Sequence, residues 1–215
     1  MPAIRVVYFD YGNVISRDQS APLRSEMQAV SGLDAETFAS RYSRFRRPYD
    51  SGHITAEEYW RRILDDRNGR AGRERIEDLI DLDVRSWEEI DDEMIDLAGR
   101  LKDRGLTVGI LSNMPAVMDR YLERNKEWYG IFHPKVISGY LKLLKPEPEI
   151  YAHAADMAGH RRGEILFIDD MEENIRGAAE AGFRVHRYSG PEPLLRCLRD
   201  ELTEVDIFLR FLAQL

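Results

Sequence analysis

Three times in this chain a short apolar run, rich in β-branched residues, stops at a polar turn that opens onto a helical stretch. Ile4 to Phe9 (IRVVYF) runs into Asp10-Tyr-Gly-Asn, Leu106 to Leu111 (LTVGIL) into Ser112-Asn-Met-Pro, and Ile165 to Ile168 (ILFI) into Asp169-Asp170 before the helical Glu172 to Ala181. Runs this short and this continuously apolar suit strands buried on both faces. Weaker runs at Lys135 to Ser138 and Arg184 to Tyr188 extend the series. Strands alternating with helices predict an α/β fold, a doubly wound parallel sheet with helices on both faces. Ligands of such sheets bind beyond the strand C-termini, and all three polar turns lie on that edge.

About ninety residues separate the first two strands, whereas a parallel crossover needs about a dozen. The excess predicts an insert, and its pattern is helical. Phe38, Tyr42 and Phe45 fall at helical spacing after Asp34, a good N-cap, and Thr55-Ala-Glu-Glu58 is a capping-box pattern opening Ala56 to Leu64. Arg73 to Leu82 and Glu93 to Arg104 supply further amphipathic helices, with a loop at Arg67 to Gly72. The expected organisation is a small helical cap over residues 16–96 inserted in a core made of residues 1–15 and 97–215.

Composition narrows the partners. With 39 acidic against 31 basic residues and a net charge of −8, the chain lacks the basic excess that a polyanion requires, so nucleic acid is not an expected partner. The single cysteine, Cys197, excludes an internal disulfide, and no apolar stretch approaches the ~18 residues that span a bilayer, so a cytoplasmic protein without membrane contact is expected. The apolar Val205 to Leu215 reads as a docking helix, against its own sheet or a second subunit, which leaves monomer and homodimer open.

Each candidate site residue also has a bland reading. Asp10, or Asp170 with Glu173, could simply cap the following turn or helix. Yet adjacent carboxylates Asp169 and Asp170, on the edge that also presents Asp10, would repel unless a cation sat among them, and oxygen donors of this kind suit Mg²⁺. Ser112 and Asn113 at a helix start make a ready phosphate cradle. Lys145, in the rigid Lys-Pro-Glu-Pro-Glu loop, could supply the cation that so much negative charge requires.

In order along the chain, Tyr8-Phe-Asp10-Tyr-Gly-Asn-Val-Ile15, Leu111-Ser112-Asn113, Lys145-Pro-Glu-Pro-Glu-Ile-Tyr151 and Phe167-Ile-Asp169-Asp170-Met-Glu-Glu-Asn174 resemble the four motifs of the haloacid dehalogenase superfamily, in its branch of phosphatases with a helical cap. The resemblance implies that Asp10 attacks phosphorus to form an aspartyl-phosphate, and that Ser112, Asn113 and Lys145, with Tyr11 and Gly12, hold the phosphoryl group of a small phosphorylated metabolite. It implies Mg²⁺ ligation by Asp10, the Gly12 carbonyl and Asp170, with Asp169 helping, and a supporting role for Asn174. One departure matters. Most phosphatases of this family carry a second aspartate, the general acid, where this chain has Gly12. Its absence favours leaving groups that need little protonation, such as anomeric or acyl phosphates, and the first motif is similar to that of members acting on sugar 1-phosphates. His53 could instead supply a proton. The resemblance also assigns substrate choice to the cap loop before Gly52, which places Arg46, Arg47 and Tyr49 near the pocket, although a solvated charged face shared with Arg41 and Arg44 would explain these arginines equally well. A 2-haloacid dehalogenase, attacking carbon without a metal, and a catalytically silent binding protein are the rival expectations.

Overall fold

The apolar runs form five parallel strands, β1 (Val6–Phe9), β2 (Thr107–Ser112), β3 (Lys135–Ile137), β4 (Ile165–Asp169) and β5 (Arg184–Arg187), in the order β3-β2-β1-β4-β5. The computed structural model describes residues 3–66 and 68–202, so the expected helix from Val205 to Leu215 lies outside the described residues. From β1 the chain winds outward to β3, then returns to β4 on the other side, so its connections diverge between β1 and β4. In a doubly wound sheet that divergence opens a crevice at the strand C-termini.

Alternation along the strands assigns the two faces. Val7, Phe9, Val108, Ile110, Leu166 and Ile168 point to one side, against α6 (Asp92–Asp103), α7 (Ala116–Asn125) and α11 (Pro191–Glu201). Val6, Tyr8, Leu111, Val136, Ile165 and Phe167 point to the other, against α9 (Pro148–Ala158) and α10 (Glu172–Glu180). Gly109, paired with Tyr8 across the β1–β2 register, leaves room for the tyrosine ring: a β-carbon there would lie 2.6 Å from Tyr8 Cε1 and 2.5 Å from the Pro134 carbonyl oxygen.

The insert is helical: α1 (Ala21–Ser31), α2 (Ala35–Arg44), α3 (Arg46–Asp50), α4 (Ala56–Ile63) and α5 (Arg73–Arg85). It has its own aromatic core of Phe38, Tyr42, Tyr49, Tyr59 and Trp60. The local signals act as the sequence predicts, with Asp34 accepting from Thr37 N–H at 2.9 Å and Thr55 and Glu58 exchanging both capping-box bonds. Three details differ. The segment before Gly52, expected as a loop, is α3. The helix from Arg73 runs to Arg85 rather than Leu82. Asp170 does not cap α10, whose N-cap is Met171, because its carboxylate is engaged elsewhere.

Of the contacts between the insert and the sheet domain, two fix its attachment. The departing and returning chains pair at an antiparallel bridge between Ser16 and Ile90. At the other contact, the end of α3 abuts α8 (Ser138–Leu141): Ser138 Oγ donates to the Asp50 carbonyl at 2.5 Å and accepts from Met114 N–H at 2.8 Å. Gly52, at φ +73°, is pressed so close that a β-carbon would lie 2.2 Å from the Gly139 carbonyl oxygen. Only glycine tolerates both that backbone conformation and that approach.

Candidate active site

Asp10 follows the central strand and is 8% exposed. Its Oδ1 accepts from the Tyr11 N–H at 2.7 Å and lies 2.9 Å from Lys145 Nζ. Lys145 is 1% exposed and reaches Asp169 Oδ2 at 2.6 Å, so one ammonium bridges the ends of β1 and β4. Burial pushes Asp10 up to about 7; Lys145 and the Ser112 hydroxyl oppose the rise, and Asp169 adds to it. Burial alone would lower Lys145, but Asp10 and Asp169 outweigh it and hold the ammonium above the ordinary lysine value.

The next shell of contacts orients this pair. Asn113 uses both ends of its amide on the Lys145 backbone, accepting from N–H at 2.8 Å and donating to the carbonyl at 3.0 Å. These two bonds leave one N–H of the Asn113 amide and its backbone N–H free for other partners, and Asn113 lines the adjoining cavity. Asn174 donates to the Asp169 carboxylate at 3.0 Å, and Asn13, at φ +57°, donates to Asp170 Oδ2 at 3.1 Å. Asp10, Asp169 and Asp170 each offer a carboxylate oxygen within 4.8 Å of the others. Three carboxylates against one ammonium leave negative charge over, and hard oxygen donors at this spacing fit a divalent cation.

A cavity of about 240 Å³ opens beside this cluster, lined by Tyr11, Gly12, Ser112 and Asn113 from the sheet edge, by Met114, Pro115 and Met118, and by Arg46, Asp50 and Trp87 from the insert. Trp87 closes the side above Gly12, where an added β-carbon would already touch its Cζ3 at 3.6 Å. Tyr11 donates its hydroxyl to the Trp87 carbonyl at 2.8 Å.

The four cap residues singled out in the sequence separate. Arg46 reaches the cavity, but not as part of a solvated face: its guanidinium is ringed by Tyr42, Tyr49 and Tyr59 and paired with Asp50 at 2.9 Å and Asp83 at 3.1 Å. Tyr49 is buried, stacked on Tyr59 at 4.3 Å, and belongs to the insert's core. Arg47 is exposed and faces Glu147 at 3.6 Å across the insert–sheet junction. His53 is exposed and bonded to Ser51 at 2.7 Å, away from the cavity wall. Asp50 and Trp87 were missed. Asp50 stands one helical turn after Arg46, a spacing that signals an ion pair; nothing local marks Trp87.

Comparison with known proteins bears on the family and the fold. A family profile described as a haloacid dehalogenase-like hydrolase matches residues 4–182. Over 97 residues the chain is 31% identical to (S)-2-haloacid dehalogenase 1 of Pseudomonas sp. (strain CBS-3), covering 44% of this chain and 43% of that protein. Over 190 residues it is 22% identical to a phosphatase of Mycobacterium tuberculosis, covering 86% of this chain and 87% of that protein. The aligned part thus spans less than half of the first curated relatives, 43% and 41% of their lengths. A HAD family enzyme from Bacteroides thetaiotaomicron, solved in complex with magnesium and inorganic phosphate, superposes with a TM-score of 0.70 at 22% identity, over 88% of this chain and 96% of that one. From its motifs, its sheet order and the profile match, the chain belongs to the haloacid dehalogenase-like hydrolase family.

Proposed function

We propose that the protein is a Mg²⁺-dependent phosphatase acting on a small phosphorylated metabolite through an aspartyl-phosphate on Asp10, with the helical insert as a cap over the site. The observation that carries this reading is the meeting of Asp10, Asp169 and Asp170 within 4.8 Å, with Lys145 between the first two. An aspartate that attacks carbon needs no such group of acids, whereas phosphoryl transfer is almost entirely positioning and charge compensation. Dehalogenation remains the alternative for which the Pseudomonas relative speaks.

In this reading Asp10, Asp169, Asp170 and the Gly12 carbonyl would hold Mg²⁺, which when bound offsets charge on the phosphoryl oxygens. Asp10 attacks phosphorus with its carboxylate, and the new bond to its oxygen forms as the bond from phosphorus to the leaving-group oxygen breaks. Ser112 and the Lys145 ammonium bind the phosphoryl oxygens; Asn113 fixes the Lys145 backbone so that the ammonium is in place before substrate arrives. Water then releases phosphate from Asp10. Gly12 offers no proton to the leaving group, and general acid catalysis is worth about 10²- to 10⁴-fold, so anomeric and acyl phosphates, sugar 1-phosphates among them, are the favoured substrates.

The test is a phosphate-release screen over sugar, nucleotide and acyl phosphates, with and without Mg²⁺, beside Asp10→Asn. Metal-dependent release abolished by Asp10→Asn is expected. Activity surviving that substitution excludes the nucleophile; halide release from 2-haloacids without Mg²⁺ decides for dehalogenation; binding of a phosphate analogue with no turnover decides for a silent protein.

A further inference from the structure

The turn after β1 has one residue in the left-handed backbone region, and it is not the glycine. Gly12 lies outside that region, whereas Asn13 has φ +57°. Glycine enters the region without steric penalty, and asparagine is among the few side chains that follow it. The backbone at position 13 would therefore be served at least as well by glycine. What asparagine adds is its amide. Nδ2 donates to Asp170 Oδ2 at 3.1 Å, which ties the turn after β1 to the turn after β4, and among the described residues it is the one donor to that carboxylate. Asn13 is exposed, so water competes for the bond and it adds little to folding. The Asp170 main chain is held separately, its carbonyl accepting from Arg187 Nε at 3.3 Å. The amide of Asn13 thus governs the direction of the carboxylate rather than the place of the turn.

We propose that Asn13 is a positioning residue of the metal site: by engaging Oδ2 it leaves Asp170 to meet the cation through Oδ1 alone, and so favours Mg²⁺ over Ca²⁺. Mg²⁺ demands an octahedron of oxygens at about 2.0–2.1 Å, in which each carboxylate gives one atom. Ca²⁺ accepts both oxygens of one carboxylate, at about 2.3–2.6 Å. An N–H donated to Oδ2 works against that two-oxygen grip. The inference rests on the Mg²⁺ site of the phosphatase reading and adds how the chain selects the ion.

The experiment titrates Mg²⁺ and Ca²⁺ into the metal-free full chain by calorimetry, without substrate, for wild type, Asn13→Gly and Asn13→Ala, with thermal unfolding of each metal-free protein. Both substitutions delete the amide, but glycine eases the left-handed backbone and alanine strains it. A residue that serves only the turn gives Mg²⁺ affinity that follows stability; a positioning residue gives the same loss in both variants. The expected result is a lower unfolding midpoint for Asn13→Ala than for Asn13→Gly, with the Kd for Mg²⁺ raised about tenfold or more in both, the range for losing a group that orients a metal ligand. The Kd for Ca²⁺ moves by less than about threefold, because its coordination adapts. An unchanged Kd for Mg²⁺ in Asn13→Gly, a loss confined to Asn13→Ala, or equal losses for the two ions overturns the inference. If Asn13→Ala does not fold, Asn13→Gly decides. Wild type that binds no Mg²⁺ removes this inference and the metal site together. The expected losses without Asp10-dependent phosphate release sustain it while the phosphatase reading falls.

Discussion

Lys145 shows how much one side chain carries. Its ammonium is the counter-charge shared by two buried carboxylates, so Lys145→Met leaves Asp10 and Asp169 facing one another in a site of low polarity. Removing one partner of a buried ion pair costs about 3–5 kcal/mol, and urea unfolding of the metal-free variant should show a loss of that order together with absent phosphate release. Asn113 acts through it. Asn113→Ala should lower kcat/KM for phosphate release about 10- to 100-fold while stability changes by about 1–2 kcal/mol, because the ammonium loses its fixed backbone rather than its charge. The sequence pointed to both residues but not to the contact between them. The hydrogen-bond partner of Asn113 stands 32 positions away, and no local pattern reveals that distance folded to 2.8 Å.

Among the elements, α3 was the one misread, because the loop before Gly52 was carried over from the family resemblance rather than read from the residues. A proline in the first turn of a helix loses no hydrogen bond, so Arg46–Asp50 can close a single turn, and its contacts with Tyr42 and Tyr59 hold it there. Its end sits on α8 through Gly52 and Gly139. Gly52→Ala adds a β-carbon 2.2 Å from a carbonyl oxygen at a backbone angle that alanine disfavours, so the α3–α8 contact must part. A destabilisation of about 1–3 kcal/mol in thermal unfolding is expected, with a larger relative loss in kcat/KM, since Asp50 and Arg46 move with that contact. The longer helices were legible, as caps at Asp34 and Thr55 and a clear apolar stripe are read from neighbouring residues.

For the whole molecule, pH and metal act on the same carboxylates in opposite senses. Asp10 is raised from 3.8 to about 7, so the metal-free protein binds its proton more tightly when folded. That contribution to stability is fully present below about pH 4 and is lost as pH rises through about 7. Mg²⁺ requires the ionised ligand, so its stabilising effect should grow from pH 5.5 to pH 8, reaching about 2.7 kcal/mol at a concentration one hundred times its Kd. Thermal unfolding with and without Mg²⁺ at the two pH values checks this, and Asp170→Asn should shrink the Mg²⁺ effect at pH 8. An unchanged Mg²⁺ response in that variant would remove Asp170 from the metal site.

Alone, the sequence determined five strands, a helical insert and three polar turns on one sheet edge, because burial periodicity, helix caps and strand endings are local and survive without coordinates. It also ordered the acids, the hydroxyl and the lysine along the chain. Tertiary structure decided which of them touch: that Lys145 bridges two strand ends, that Asn113 serves Lys145, that Arg46 turns inward to Asp83 while Arg47 stays outside, and that Trp87 stands over Gly12. These contacts join residues tens of positions apart, and ion pairing, burial and close packing act through space, so only the folded chain settles them.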